Sequence, residues 1–300
     1  MSGGEQAAAW PRRPTTRFAP APTGKLHLGH VVNAIWVWGA ARALAGRVLL
    51  RVEDHDRQRC RAEYGRWLLE DLEWLGLEPD APPERQSGRT PLYEQALGRL
   101  EARGFVYVCR CSRRDVEAVA EKRGEELRYP GTCRGLRLPH EASTVRRIRL
   151  EGEAVAFDDL RLGRIVQQPA AQCGDLLAID RGGNWTYQFA VTVDDLEQQV
   201  DLVIRGEDLL ASTGRQIQLA RLLGRSRPPA FFHHELVRRD DGTKLSKAHR
   251  DEGIRDLRAA GWPPARVLGA AARAAGLVSG ERRINVTDLA GLVGPAIGDR

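Results

Sequence analysis

Apolar residues recur at helical spacing through Val31, Ile35, Val37, Trp38, Ala41 and Leu44 and stop at Gly46, which predicts an amphipathic helix. Ahead of it, order is expected from about Thr16, with a short strand at Arg17-Phe-Ala that ends in the loop Pro-Ala-Pro-Thr-Gly. Behind it, the segment Arg47–Val52 is β-rich and continuous enough for a buried parallel strand. Tyr64, Trp67, Leu68, Leu72 and Leu75 mark a second helical face ending at Gly76. A helix over 91–103, capped by Gly104, and a strand over 105–108 follow. This alternation predicts an α/β fold on a doubly wound sheet.

From residue 109 to about 173 the periodicity breaks into a cysteine-containing, Gly- and Arg-rich stretch with short strands over 145–150 and 163–167, expected to be an insertion. Alternation resumes over 175–180, a Gly182-Gly183 turn, 185–193 and 202–204, and Thr213-Gly-Arg-Gln216 has capping-box spacing before an apolar run to Leu223. The expected organisation is a flexible tail over 1–15, a catalytic unit of 16–108 with 174–250, an inserted unit over 109–173 and a short helical region over 251–300.

Composition narrows the class. Hydrophobic residues at 42% and charged residues at 29% are ordinary for a globular chain and exclude disordered and collagen-like readings. The most apolar early stretch, 31–50, contains Asn33, Arg42 and Arg47, so no membrane span is expected. Five cysteines and a start without an apolar signal core point to a reducing cytoplasm. A net charge of +6 allows a polyanionic partner, and a monomer is expected. Of 46 basic residues only Lys25, Lys122, Lys244 and Lys247 are lysine. In an arginine-dominated chain, a retained lysine suggests a place where a compact ammonium is needed.

The candidate chemistry begins where the first strand runs into the first helix, in Lys25-Leu-His27-Leu-Gly29-His30. Ligands of open α/β sheets bind beyond the carboxyl ends of strands, and a helix N-terminus offers N–H groups and a positive dipole end to phosphate. His27 and His30, one turn apart, can both face that phosphate, and Gly29 is expected to leave room for a flat base or ribose. Downstream, Asp240-Asp-Gly-Thr-Lys244-Leu-Ser-Lys247 is a polar turn whose lysines can close on a polyphosphate and neutralise charge during nucleotidyl transfer.

The two segments resemble the His-x-Gly-His and Lys-Met-Ser-Lys-Ser signatures of class I aminoacyl-tRNA synthetases. Residues 17–24 and Arg51-Val-Glu53-Asp54 narrow the resemblance to the glutamyl and glutaminyl branch. It spans nearly all of 16–250 and departs at Leu245 for Met and Ala248 for the final Ser. The resemblance implies a Rossmann-like catalytic domain, ATP binding by His27, Gly29, His30 and Lys247 with Mg2+ accompanying the ATP, and catalysis by both histidines with Lys244 and Lys247. It also implies glutamate contacts from Arg17, Phe18, Ala19, Pro20, Ala21, Glu53, Tyr187 and Arg205. Charge agrees with that set. Free glutamate carries one ammonium and two carboxylates, so its pocket needs one acid and several cationic or hydroxyl donors. Arg17, Glu53, Tyr187 and Arg205 are all expected at strand ends.

Cys109-Arg-Cys111 followed by Tyr129-Pro-Gly-Thr-Cys133 places three thiols in a cysteine-poor chain, which fits one closed structural Zn2+ site better than disulfides. The fourth ligand is Tyr129 or His140, the histidine being the more usual zinc ligand. Cys60 and Cys173 lack paired spacing and are expected to be packing residues. Cys-x-Cys with Tyr-x-x-x-Cys resembles the zinc motif of glutamyl-queuosine tRNA(Asp) synthetases, shortened relatives of glutamyl-tRNA synthetase, and favours Tyr129. That resemblance implies ATP-dependent activation of L-glutamate without tRNA and its transfer to queuosine at the wobble position of tRNA(Asp). The short stretch after Lys247 is expected to hold no separate anticodon-binding domain. A compact glutamyl-tRNA synthetase charging a 3′ end, a non-catalytic tRNA-binding relative and a small-molecule nucleotidyltransferase stand as alternatives.

Overall fold

The computed structural model describes residues 9–56, 58–119, 122–123, 126–141, 144–237 and 253–298. It begins with β1 (Thr15–Phe18), α1 (Leu28–Ala43) and β2 (Arg47–Val52), the two strands paired in parallel from Thr15 opposite Arg47 to Phe18 opposite Leu50. After Arg47 every residue of β2 is buried, as a parallel strand covered on both faces requires. Helix α1 differs from the amphipathic expectation, because residues 31–41 are buried all round apart from Asn33. Two helices from the far end of the chain, Pro264–Ala274 and Leu289–Ile297, cover the side that would otherwise meet water. At Gly39 the approach is so close that a Cβ would stand 2.8 Å from the Leu289 carbonyl oxygen.

α2 (Ala62–Leu75) ends at Gly76, whose φ of 75° needs no Cβ penalty. β3 (Glu84–Arg85) extends the sheet beside β2, and α3 (Thr90–Ala102) opens with Pro91 in its first turn. β4 (Val106–Cys109) leaves this sheet. After α4 (Arg113–Val119) and the small β5 (Lys122–Arg123) and β6 (Glu126–Leu127), the chain forms β7 (Val145–Ile148), which pairs antiparallel with β4. β8 (Val155–Asp159), β9 (Gly163–Gln167) and α5 (Pro169–Gln172) lead to β10 (Leu176–Ile179), which pairs antiparallel with the other side of β7. The single doubly wound sheet expected through 105–108 and 175–180 is therefore replaced by a separate antiparallel sheet, β10-β7-β4. The alternating burial of β4 and β10 explains this, since one covered face is the habit of an antiparallel strand.

α6 (Tyr187–Glu197), β11 (Leu202–Gly206), α7 (Leu210–Leu222) and β12 (Ala230–His234) complete the core, with strand order β11-β12-β8-β9 and parallel pairing from β11 through β8. The hairpin β8–β9 is thus built into the sheet of β11 and β12. Helix α7 starts three residues before the expected cap at Thr213, whose hydroxyl is instead taken by the Arg205 side chain at 2.7 Å. β1 meets β11 where Asp201 N donates to Thr15 O at 3.0 Å. α8 (Ile254–Ala259) is followed by the two covering helices, α9 (Pro264–Ala274) and α10 (Leu289–Ile297). Among the described residues no helix is long and apolar enough to cross a membrane.

Charges are buried where these elements meet. Arg51, on β2, donates to Asp195 Oδ1 of α6 (2.6 Å) and to Oε1 of Gln198, its C-cap (3.0 Å), and Arg17, on β1, donates to the same Asp195 oxygen (3.1 Å). Asp194 accepts from Gln86 (2.8 Å), Arg89 (2.7 Å) and Tyr93 (2.8 Å). Against the cost of burial, Asp195, Asp194 and Glu53 hold the Arg51 guanidinium above its ordinary pKa. Removing one member of such a set leaves the others uncompensated. Arg51→Met is expected to lower unfolding stability by about 3–5 kcal/mol, read as a shifted urea midpoint, and a loss below about 1 kcal/mol would contradict the network's structural role.

Candidate active site

At the head of α1, His27 is the N-cap, with extended backbone at φ −124° and ψ 174°. Its Nδ1 accepts from Gly29 N at 3.1 Å, while His30 Nδ1 accepts from His27 N at 3.1 Å. This reciprocal cap satisfies two helix-end donors and holds the rings 3.9 Å apart. Because each Nδ1 accepts, each neutral ring carries its proton on Nε2 and is a donor there, beside the positive end of α1. A Cβ on Gly29 would meet the His27 ring at 3.1 Å. The glycine thus makes room for the cap itself, and the imidazole takes the space that was expected to stay open for a base or ribose. Lys244 and Lys247 lie outside the described residues. The chain re-enters the described structure beside His27, where Gly253 forms a β-bridge with it and Ile254 N donates to Leu26 O at 2.7 Å.

The predicted amino-acid pocket assembles from separate elements. Arg17 comes from β1, Glu53 stands just past β2 and Arg205 lies in β11. Tyr187 is not at a strand end. It opens α6, because Thr186 adopts the extended cap conformation and the apolar residues Phe189, Ala190 and Val193 that follow are buried at helical spacing. The Tyr187 hydroxyl lies in the fields of Arg205, Glu53, Arg17 and Asp195, and burial raises its pKa. All four predicted residues are therefore brought together. Phe18 is a core residue against Trp38, with ring centroids 5.4 Å apart. Ala19 and Ala21 are half-buried, and Pro20 O accepts from Glu53 N at 3.1 Å.

Glu53 is nearly without solvent, and its nearest cation is Arg51 Nη1 at 3.8 Å, beyond hydrogen-bonding distance. Burial pushes its carboxyl up to about 7, with Arg51 and Arg17 opposing and Asp195 and Asp194 adding to the rise. An ammonium placed against it would supply what the pocket lacks. The residues that hold this geometry, Arg51, Asp194, Asp195 and Gln198, were not picked out as site residues by sequence reasoning. The available signal was an arginine, Arg51, between apolar residues of a strand and two adjacent acids among the buried residues of a helix.

Apart from this pocket, Cys109, Cys111 and Cys133 place their sulfurs within 4.8 Å of one another. Cys111 and Cys133 sulfurs are 3.5 Å apart, and the Tyr129 hydroxyl lies 3.3 Å from Cys109 Sγ and accepts from Cys133 N at 3.0 Å. Three thiols and a phenol form a compact donor set of the size of a tetrahedral zinc site, where Zn–S bonds are ~2.3 Å. Burial, then its fellow thiols, push the Cys111 thiol up to about 11, and a bound dication would reverse that. His140 is exposed and stands apart from the cluster. Cys60 and Cys173 donate to backbone carbonyls at 3.6 and 3.3 Å.

Residues 14–288 match the family described as tRNA synthetases class I (E and Q), catalytic domain. The chain is 42% identical over 270 residues to a glutamyl-Q tRNA(Asp) synthetase of Rhodobacter capsulatus, covering 83% of this chain and 96% of that protein. It is 42% identical over 283 residues to the protein of that name from Symbiobacterium thermophilum, covering 87% and 86%. A solved glutamate tRNA ligase of Elizabethkingia meningosepticum, in complex with its amino acid, is similar with a TM-score of 0.67 and 27% identity. That match covers 84% of this chain and 54% of the ligase, so the chain spans about half the ligase's length.

The raised Glu53 pKa has a sign that stability measurements read. A carboxyl at about 7 in the fold and 4.5 when free favours folding below 4.5, and that contribution is lost as pH rises through 7. Glu53→Gln, which does not ionise, is expected to be more stable than wild type at pH 8 by about 1–3 kcal/mol and to lose that advantage by pH 4.5. Denaturant curves at the two pH values check this, and an equal difference at both would refute the raised pKa.

Proposed function

The chain belongs to the class I tRNA synthetase family of the glutamyl and glutaminyl type, and on that premise we propose that it activates L-glutamate with ATP, without tRNA, and transfers it to queuosine in tRNA(Asp). The observation that carries glutamate activation is the meeting of one acid, Glu53, with Arg17, Tyr187 and Arg205 at the carboxyl edge of the sheet. Glu53 takes the ammonium, and the arginines and the phenol take the carboxylates. Fixed charges suit this task because they need little reorganisation when substrate binds.

ATP lies at the head of α1, where the His27 and His30 donors and the helix dipole meet its phosphates, and the cations of Lys244 and Lys247 serve to neutralise phosphate charge. An α-carboxylate oxygen of glutamate attacks the α-phosphorus, the bond to the bridging oxygen breaks and pyrophosphate leaves. A hydroxyl of the queuosine diol then attacks the carbonyl carbon, loses its proton and expels AMP. Positioning and phosphate neutralisation carry both steps. Mg2+ accompanies ATP and offsets phosphate charge. A zinc ion held by Cys109, Cys111, Cys133 and Tyr129 acts structurally, tying β4 to the loop before β7. The protein works as a cytoplasmic monomer with ATP, glutamate and queuosine-bearing tRNA(Asp) as its partners. The similarity to a glutamate tRNA ligase supports the second reading, a compact enzyme charging a tRNA 3′ end.

Glutamate-dependent ATP–pyrophosphate exchange without tRNA is expected, and labelled glutamate should join tRNA(Asp) that carries queuosine but not queuosine-free tRNA(Asp) or tRNA(Glu). Trimming the 3′ nucleotides first separates the acceptors: an anticodon acceptor survives trimming, whereas label confined to intact 3′ ends would favour the second reading. Protein purified without chelator should hold one zinc per chain. Cys111→Ser should lose it and unfold more easily, because binding free energy of a structural metal is folding free energy. A metal-free wild type of equal stability would remove the zinc assignment.

A further inference from the structure

Arg205 is supported by a buried chain of groups to which no role has been given. Its Nε donates to His233 Nε2 at 3.1 Å, Nη1 to Gln216 Oε1 at 2.7 Å and Nη2 to Thr213 Oγ1 at 2.7 Å. All three acceptors are neutral side chains. A guanidinium has five N–H groups, so two remain, on the fork where the Tyr187 hydroxyl is itself a hydrogen-bond partner of Arg205. Arg17 and Arg51 differ, since both spend their charge directly on Asp195.

The tautomer of His233 is fixed by its neighbours. Its Nε2 meets the Arg205 Nε–H, and the Thr213 hydroxyl, whose oxygen already accepts from Arg205, directs its own proton at the same nitrogen from 3.1 Å. Nε2 must therefore carry the lone pair and Nδ1 the proton, which goes to Asp159 Oδ2 at 2.6 Å. Both side chains are fully buried. The other carboxylate oxygen of Asp159 accepts from Arg161 N at 3.0 Å and Leu162 N at 2.9 Å. Burial lowers the His233 pKa and keeps the ring neutral.

We propose that Asp159 and His233 are positioning residues for glutamate: Asp159 fixes the His233 tautomer, and His233 aims Arg205 so that the N–H groups it shares with the Tyr187 hydroxyl meet a carboxylate of the amino acid. This rests on the assignment of Arg205 to glutamate. A carboxylate placed directly on Arg205 would stabilise the buried cation but would also occupy the fork that the substrate needs. Setting the negative charge one imidazole behind supports the cation and leaves the fork open.

Asp159→Asn tests the chain of bonds while keeping a side chain of the same shape. With its carbonyl oxygen kept on the Arg161 and Leu162 N–H groups, its amide nitrogen replaces the oxygen that accepts from both His233 N and Nδ1, which moves the ring proton to Nε2 and sets it against the Arg205 Nε–H. In glutamate-dependent ATP–pyrophosphate exchange by the full chain, KM for glutamate is expected to rise about 10-fold or more, the loss of one charge-assisted hydrogen bond. The kcat and the KM for ATP should stay within about 3-fold. His233→Gln, which can accept from Arg205 and donate to Asp159, should keep the glutamate KM near wild type, whereas His233→Leu should raise it as Asp159→Asn does. These two variants carry the test if Asp159→Asn does not fold. Lowered melting temperature or active fraction with an unchanged glutamate KM in Asp159→Asn and His233→Leu would overturn the proposal. Wild-type protein that performs no glutamate-dependent exchange would instead overturn the assignment of Arg205, and the relay with it.

Discussion

One carboxylate, Asp195, sets the geometry of the pocket. It receives Arg17 from β1 and Arg51 from β2 on the same oxygen, so two strands and helix α6 are fixed about a single atom. Despite its burial, the two arginines hold Asp195 below the usual carboxylate range, which keeps the charge in place when the pocket empties. Buried ion pairs are weak contributors to net stability, because desolvation consumes most of the attraction. Their value here is positional. Arg51 is held by Asp195 and Gln198 and therefore cannot close on Glu53, 3.8 Å away. Glu53 is left as a buried acid with an ion pair to Arg51 but no hydrogen-bonded cation, a place that an amino group fits.

The head of α1 depends on a different constraint, the burial of residues 31–41 on nearly every side. Sheet covers one side of this helix and α9 and α10 the other, so its N-terminus has little freedom to shift relative to β1. Residues Gly253 and Ile254 bond directly to the Leu26–His27 backbone. The segment that begins at Gly253 is thereby joined to the residue that caps α1. Helix dipole, imidazoles and the Gly253–Ile254 backbone share one anchor, which keeps the helix-end donors in register.

Much of this was legible in the sequence, and the parts that were not have physical reasons. The elements of 15–103 follow from periodicity and glycine stops, and the four charged or phenolic pocket residues were identifiable because family motifs mark them. The sheet order was not legible, since β4 and β10 alternate in burial over only four residues each, too short a run to separate a parallel from an antiparallel partner. The amphipathic reading of α1 failed because periodicity cannot report the distant α9 and α10 that cover its outer side. Tyr187 was misplaced because Trp185, Tyr187 and Phe189 alternate like a strand while the residues after them repeat at helical spacing. The support of Arg205 was invisible, because Asp159, Thr213 and His233 come from β8, α7 and β12 and meet only in the fold.

The thiol cluster and the pocket are two ends of one rigid path. Tyr129, beside the sulfurs, donates its backbone N–H to Cys173 O at 2.9 Å. Gly174 follows at φ 69°, so close that a Cβ there would stand 2.0 Å from Tyr129 O. β10 begins two residues later, anchored where Asp175 accepts from Tyr107 at 2.7 Å. From β10 the Ala178 carbonyl accepts from Thr186 N at 3.0 Å, and Thr186 caps the helix whose first residue is Tyr187. Ordering the cluster therefore restrains the strand that sets the start of α6. An ion held by the cluster would therefore reach the first residue of α6 through this backbone path, by limiting where the Tyr187 hydroxyl can be.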